Sequence, residues 1–218
     1  MIKRHFQIAL CGVLLLASVL QAQNENDNMR KQRQPADSPE EIRPLLVGQI
    51  IPDLEVKNLE NQAVALRKAI AEKPTILIFY RGGWCPYCNR HLGQVAEVEE
   101  ELLKMGYQII ALSPDRPEKL AKTVDKNSLS YQLLSDSKMT VSTAFGLSFK
   151  MPDKAVARYK KIGIDLEASS GEDHHLLPVP AAFVLGTDGM IHFSYVNPNY
   201  KVRINGDVLL AAAKAALE

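Results

Sequence analysis

The feature that most constrains this chain is the stretch Thr75-Ile76-Leu77-Ile78-Phe79-Tyr80-Arg81-Gly82-Gly83-Trp84-Cys85-Pro86-Tyr87-Cys88. Its first six residues, entered through Pro74, form a β-branched and aromatic run of the kind that is buried on both faces of a sheet. Beyond Cys88, Leu92, Val95, Val98, Leu102 and Leu103 recur at helical spacing until Gly106 stops the pattern, and Tyr107 to Leu112 resumes as strand. This is a β-α-β unit with a C-x-x-C at its strand-to-helix junction. The expected fold class is therefore α/β, a central mixed β-sheet with mostly parallel pairing, flanked by helices on both faces.

The flanking sequence extends the pattern. Val47 to Val56 alternates in the manner of a strand, Pro117 opens a helix, Tyr131 to Leu134 reads as a short strand and Thr140 to Phe145 as a short helix. The segment from Gly146 to Val179 reads as an insertion before a closing hairpin, with a helix suggested by Ala155, Val156, Tyr159 and Ile162 and a loop at Ser169-Ser170-Gly171-Glu172-Asp173. Ala181 to Leu185 and Met190 to Val196 flank Gly186-Thr187-Asp188-Gly189, and Asp-Gly is a strong hairpin signal. The alanine-rich stretch Val208 to Leu217 closes the chain as a helix that Asp207 would help start.

With 218 residues and 46% hydrophobic content, the chain can bury one substantial core. Lys and Arg number 26 against 25 Asp and Glu, so there is no global field for nucleic acid or an anionic membrane, and any charged partner must be recognised locally. At the N-terminus, Lys3 and Arg4 precede an apolar run from Ile8 to Leu20, followed by Gln21-Ala22-Gln23. That is the basic, apolar, small-residue order of a secretory signal, and its apolar part is shorter than the roughly 20 residues of a membrane-spanning helix. The expectation is a signal peptide over 1–22, a flexible polar linker over 23–43 containing Pro35 and Pro39, and one domain over 44–218. The protein would be exported to a periplasmic or extracellular compartment, without a permanent membrane span, and would lose Cys11 with its leader. Cys85 and Cys88 would then be its only thiols.

A helix N-terminus presents unpaired N–H groups and the positive end of the helix dipole, and both favour thiolate over thiol. In C-x-x-C motifs the first thiol can fall well below its ordinary pKa of about 8.5. Cys85 is thus the candidate nucleophile and Cys88, one turn on, the sulfur that closes a disulfide. Pro86 suits the first helical turn, where its missing N–H costs nothing. Arg81 would add positive potential, and Trp84 would shield the site or pack as a core aromatic. Two other uses of the pair compete: a structural disulfide, which would close a loop too small to add much stability, and a metal site in which His91 completes C-x2-C-x2-H without an evident fourth ligand. Tyr87 reads as a surface residue that tunes partner contact, and His174-His175 as a solvated pair in a polar loop.

Phe79 to Cys88 resembles the active-site junction of thioredoxin-fold redox proteins. The surrounding chain is similar to the alkyl hydroperoxide reductase/thiol-specific antioxidant family, meaning peroxiredoxin-like proteins, through Val47-Gly48-Gln49-Ile50-Ile51-Pro52-Asp53-Leu54, Ile109-Ile110-Ala111-Leu112-Ser113-Pro114-Asp115, Leu133-Leu134-Ser135-Asp136 and Phe183 to Ile191. The resemblance implies a thioredoxin-like fold, and it implies reduction of hydrogen peroxide or organic hydroperoxides by a thiol that needs no other cofactor, recycled by a thioredoxin-type reductant. The register also shows departures. Cys88 falls on the peroxidatic position, Cys85 on that of the family's threonine or serine, and Pro180 where an arginine is expected. Pro180 instead matches the proline that thioredoxins keep in cis opposite the cysteines. One template names Cys85 as nucleophile and the other Cys88. A thiol:disulfide oxidoreductase acting on protein disulfides, with Pro180 in the substrate groove, is the alternative.

Overall fold

The computed structural model describes residues 33–217. Among the described residues nine strands run in chain order as β1 (Glu55–Lys57), β2 (Ala63–Ala65), β3 (Thr75–Phe79), β4 (Gln108–Ser113), β5 (Gln132–Ser135), β6 (Ser148–Lys150), β7 (Leu176–Pro178), β8 (Ala181–Leu185) and β9 (Ile191–Val196). The helices are α1 (Leu66–Glu72), α2 (Pro86–Glu97), α3 (Glu99–Lys104), α4 (Pro117–Asn127), α5 (Thr140–Ala144), α6 (Asp153–Lys161), α7 (Leu166–Ser170) and α8 (Gly206–Ala215).

Seven strands form one sheet in the order β2-β1-β5-β4-β3-β8-β9. Pairing is parallel across β3-β4 and β4-β5 and antiparallel elsewhere, so the mixed sheet is parallel only at its centre. Every residue of β3 is buried, as its unbroken apolar run requires. Its side chains alternate between two cores. Ile76, Ile78 and Tyr80 join α2, α4 and α8 on one face through Leu92, Val95, Leu120, Leu209 and Ala213. Leu77 and Phe79 join α1 and α5 on the other through Leu66, Ile70 and Val141, where Phe79, Phe145 and Phe183 pack edge to face or tilted at 4.9–5.9 Å.

The expected insertion forms a satellite layer. β6 and β7 pair antiparallel as a separate two-stranded sheet, and α6 and α7 cover a small core of Phe149, Met151, Leu166, Leu177 and Val179. The hairpin β8-β9 turns at Gly186–Gly189 as the Asp-Gly signal requires. Several local expectations are corrected. The alternation of Val47 to Val56 does not make a strand of that length: only Glu55–Lys57 is strand, Ile50 makes an isolated bridge with Met190, and Val47 is 56% exposed. The loop expected at Ser169-Ser170 is the end of α7. The last helix is capped by Asn205, whose Oδ1 accepts from the Asp207 N–H at 2.7 Å, because Asp207 already lies within the first turn. The part of the expected linker that falls in 33–43 is docked: Ala36 bridges Phe149, and the Arg43 N–H donates to the Gly146 carbonyl at 3.2 Å. The expected leader and Cys11 lie outside the described residues, among which no helix is long and apolar enough to cross a membrane.

Candidate active site

The site is built at the end of β3. A double glycine allows the chain to turn there under two close neighbours. Gly82 has φ +141°, and a Cβ on it would stand 2.4 Å from Trp84 Nε1 and 2.9 Å from Asp115 Oδ1. A Cβ on Gly83 would stand 1.9 Å from Thr123 Oγ1, so α4 presses directly on this loop. The turn is tied down by Asn89, whose Nδ2 donates to the Gly83 carbonyl at 2.8 Å, and by Asp115, whose Oδ2 accepts the Gly83 N–H at 2.6 Å.

Cys85 is the N-cap of α2 and Pro86 its first residue. No side chain caps this terminus, and its first turn holds no acidic residue, so its positive end is left to the Cys85 sulfur. Both cysteines are free thiols and both are buried, Cys85 at 1% exposure and Cys88 at 0%. Their ionisation is split. The Cys85 thiol is lowered to about 6, chiefly by a hydrogen bond from Cys88, with help from the Cys88 backbone N–H and the cations Arg81 and Arg203, against the opposing effect of burial. Cys88 is pushed well up by burial and by its role as donor. Both shifts favour a thiolate on Cys85 over one on Cys88.

Arg81 is buried at 3% exposure. Its guanidinium lies 4.2 Å from the Tyr200 ring centroid, 5.2 Å from Trp84 and 5.7 Å from Tyr159, and its Nη2 donates to Tyr159 Oη at 2.7 Å. Trp84 packs edge-on to Tyr159 at 5.8 Å, and Tyr87 to Tyr200 at 5.6 Å, so Tyr87 faces another part of the chain rather than solvent alone.

The segment after β9, for which the sequence suggests no role, returns over the dithiol. Arg203 Nη2 donates to Cys88 Sγ at 3.5 Å, while its Nη1 donates to the carbonyls of Tyr200 and Val202. Sequence reasoning misses this residue, and the signal present was faint: one arginine between Val202 and Ile204 just ahead of the last helix. Reasoning from sequence also misses Asp115, buried at 1% and raised to about 7 by burial, and it reads His91 only as a possible metal ligand, whereas burial and Arg203 lower that imidazole to about 4.

Pro180 does not match the thioredoxin template, because the described residues contain no cis peptide bond. It is buried at the entry to β8, and its carbonyl accepts the Asn197 N–H at 3.3 Å. With Arg81, Tyr159, Val179 and Tyr200 it lines a cavity of about 220 Å³. The structure thus brings Cys85, Cys88, Pro86, Arg81 and Trp84 together and places Pro180 beside Arg81. His174 and His175 are engaged elsewhere, with the Ser137 carbonyl at 2.7 Å and Glu167 at 2.8 Å. Among the described residues no three His, Cys, Asp or Glu side chains converge as a metal would need.

Comparison with known proteins identifies the family and the fold. The AhpC/TSA family model matches residues 47–194. The chain is 30% identical over 106 residues to a putative peroxiredoxin bcp of Haemophilus influenzae, covering 49% of this chain and 68% of that protein. It is 28% identical over 106 residues to peroxiredoxin Bcp of Escherichia coli, covering 49% and 67%. Among solved structures it resembles peroxidoxin BcpB from Mycobacterium tuberculosis, with a TM-score of 0.60, 20% identity and coverage of 78% and 96%. It also resembles reduced Prx3 of Vibrio vulnificus in complex with hydrogen peroxide, with a TM-score of 0.64, 17% identity and coverage of 78% and 99%.

These relatives correct the expected export to a periplasmic or extracellular compartment. The relatives that the domain matches are Bcp peroxiredoxins, and the match lends the expected export no support. A short basic and apolar run is a weak address on its own, and this one lies outside the described residues. Family match, sheet order and the dithiol at the β3-α2 junction agree: the chain belongs to the AhpC/TSA family and is a peroxiredoxin-like oxidoreductase of thioredoxin-like fold.

Proposed function

We propose that the protein is a thiol peroxidase in which Cys85 is the nucleophile and Cys88 the resolving thiol. The observation that carries this reading is the position of Cys85 as the N-cap of α2, at a helix start with no capping side chain and no acidic residue in its first turn, where Arg81 and Arg203 also favour its thiolate. The Cys85 thiolate attacks hydrogen peroxide or an organic hydroperoxide. An S–O bond forms as the O–O bond breaks, the departing hydroxide or alkoxide takes a proton, and Cys85 becomes a sulfenic acid. Cys88 then attacks that sulfur, the disulfide forms and water leaves. A thioredoxin-type dithiol reduces the disulfide. Arg203, beside Cys88 Sγ, stabilises the charge that Cys88 acquires whenever it gives up its proton or leaves as thiolate.

A second reading, thiol:disulfide exchange on protein substrates, is favoured by the presence of Cys85 where the family's register carries a threonine or serine hydroxyl. Stopped-flow oxidation of the reduced full-length protein by hydrogen peroxide, followed by the fluorescence of Trp84, separates the two when run beside insulin reduction. Rapid oxidation supports the peroxidase. Oxidation no faster than that of a free thiol, together with fast insulin reduction, overturns it. The Cys88→Ser protein is expected to complete one turnover and accumulate a sulfenic acid that dimedone traps, whereas Cys85→Ser is expected to be inert. The reverse pattern moves the nucleophile to Cys88.

A further inference from the structure

The guanidinium of Arg81 is a buried cation that no carboxylate neutralises. The residue is 3% exposed, no ion pair joins it to an acid among the described residues, and its side chain donates to neither sulfur. Of its five N–H donors, one on Nη2 serves Tyr159 Oη at 2.7 Å, and the Nε–H has no partner. Three rings surround it, Tyr200 at 4.2 Å, Trp84 at 5.2 Å and Tyr159 at 5.7 Å. Ring faces soften the loss of hydration but bring no opposing charge, so a cation held here calls for an anion.

Arg81 stands in the wall of the cavity of about 220 Å³, to which Arg158 adds a second, exposed cation and no described residue adds an acid. The rest of the wall is poor in donors. Pro39, Pro152, Pro178, Pro180 and Pro198 have no N–H to give, and the N–H groups of Met151 and Val179 are spent on the His175 and Leu147 carbonyls at 2.9 Å. A peptide laid across this wall would leave its own carbonyls unpaired. A phosphate would have to give up its hydration against apolar carbon. A carboxylate on an apolar body meets neither obstacle, because its planar pair of oxygens matches the guanidinium fork. At the roughly 30 Å³ that a water-sized group occupies in a liquid, the space holds about seven heavy atoms.

We propose that this cavity is a binding site for a small apolar carboxylic acid, whose carboxylate pairs with Arg81 and whose hydrocarbon body packs against Phe149, Met151 and Val179, with Arg158 drawing the anion in at the mouth. The site is assembled from the end of β3, the satellite layer of β6, β7 and α6, and the segment after β9. Neither cysteine lines it. Its occupant lies against the aromatic side chains that flank the dithiol in sequence, Trp84 directly and Tyr87 through Tyr200. Trp84, the chain's one tryptophan, therefore reports occupancy. The inference does not rest on the peroxidase reading, and its test contains no peroxide.

The reduced full-length protein is titrated with hexanoate by calorimetry and by Trp84 fluorescence, beside acetate, 1-hexanol and inorganic phosphate. Hexanoate is expected to saturate one to one with a Kd on the order of 1 mM or tighter, and each of the others to bind at least about tenfold more weakly. Hexanol bound as well as hexanoate would make the cavity a plain apolar crevice, and phosphate bound as well would make Arg81 a general anion site. Either result overturns the proposal, as does the lack of saturation. An acidic, proline-rich peptide that binds where hexanoate does not overturns it in favour of a protein partner. Methionine-methyl NMR fixes the location: the Met151 signal should move with the same Kd, while that of Met139, buried ahead of α5, stays. An unmoved Met151 signal overturns the assignment. Arg81→Lys keeps the charge but loses the fork and should weaken hexanoate binding by about tenfold. Because Arg81→Lys can fail to fold, the exposed Arg158→Glu is measured too, with a loss of several-fold expected. Unchanged affinity in either folded variant overturns the proposal.

Discussion

The guanidinium of Arg203 reaches back across 115 residues to donate to Cys88 Sγ at 3.5 Å. The link couples the two sulfurs to the last part of the chain, because the same cation also lowers Cys85 and holds His91 neutral. Replacing Arg203 with Ala removes a charge-assisted hydrogen bond worth about 1.5–3 kcal/mol, equivalent to roughly a 10- to 100-fold loss in the rate at which Cys88 resolves oxidised Cys85. The Cys85 midpoint should rise in the same variant, and Arg203→Lys should restore part of both. Rapid-quench measurement of disulfide formation, with the thiolate absorbance as a second readout, checks this.

The lowered Cys85 pKa of about 6 predicts the pH response of its reactivity. Alkylation of the reduced protein by iodoacetamide should be nearly flat above pH 7 and fall about tenfold per unit below pH 6, as the thiolate is lost. A midpoint near that of an ordinary thiol, measured by mass spectrometry of Cys85 labelling, would contradict the charge assignment.

Asp115 also shapes stability. Its folded pKa is raised to about 7 from an ordinary carboxyl value near 4, so the folded state binds a proton that the unfolded chain releases between these limits. The stabilising contribution is complete below about pH 4 and is lost as pH rises through 7, by up to about 4 kcal/mol for a shift of this size. Asp115→Asn, whose amide oxygen can still accept from Gly83, should therefore be nearly neutral at pH 4 and stabilising at pH 8. Urea unfolding at the two pH values measures the difference.

Gly83 has no room for a side chain because Thr123 fills the space. Gly83→Ala should push α4 from the cysteine loop and slow peroxide oxidation. Adding Thr123→Ala removes Oγ1 and leaves only the Thr123 Cβ contact at 3.1 Å, so the double variant should recover part of the rate. Independent, additive losses in a double-mutant cycle would show that the two side chains do not meet.

Phe183, in β8, packs against both Phe79 and Phe145 on the face away from the dithiol. Phe183→Ala should cost about 3–5 kcal/mol of stability while leaving the Cys85 titration of the folded protein unmoved. Denaturant melts and thiolate absorbance separate the two effects.

What could be read from the sequence was local. Thr75 to Phe79 announces a buried strand by its own side chains, the 3.6-residue spacing from Cys88 to Leu102 announces the helices, and Asp188-Gly189 marks the hairpin. The short edge strands β1 and β2 carry three residues each and owe their form to pairing with neighbours rather than to their own pattern. Of the site, Cys85, Cys88, Pro86, Arg81 and Trp84 were legible because one strand-to-helix junction holds them all. Arg203 and Asp115 were not, since nothing near either in sequence signals a thiol. Pro180 was assigned by analogy to a backbone geometry that its position at the mouth of β8 does not adopt.

The sandwich of Tyr200 between Tyr87 and Arg81 has a consequence for folding. Trp84 is the only tryptophan in the chain, and its indole touches a cation whose own position depends on Tyr159 and Tyr200. These partners are separated from it by most of the domain's second half, so its native emission cannot arise until the insertion and the closing segment have both arrived. Trp84 is thus a late reporter: during refolding its signal should lag the growth of secondary structure and keep pace with the recovery of activity.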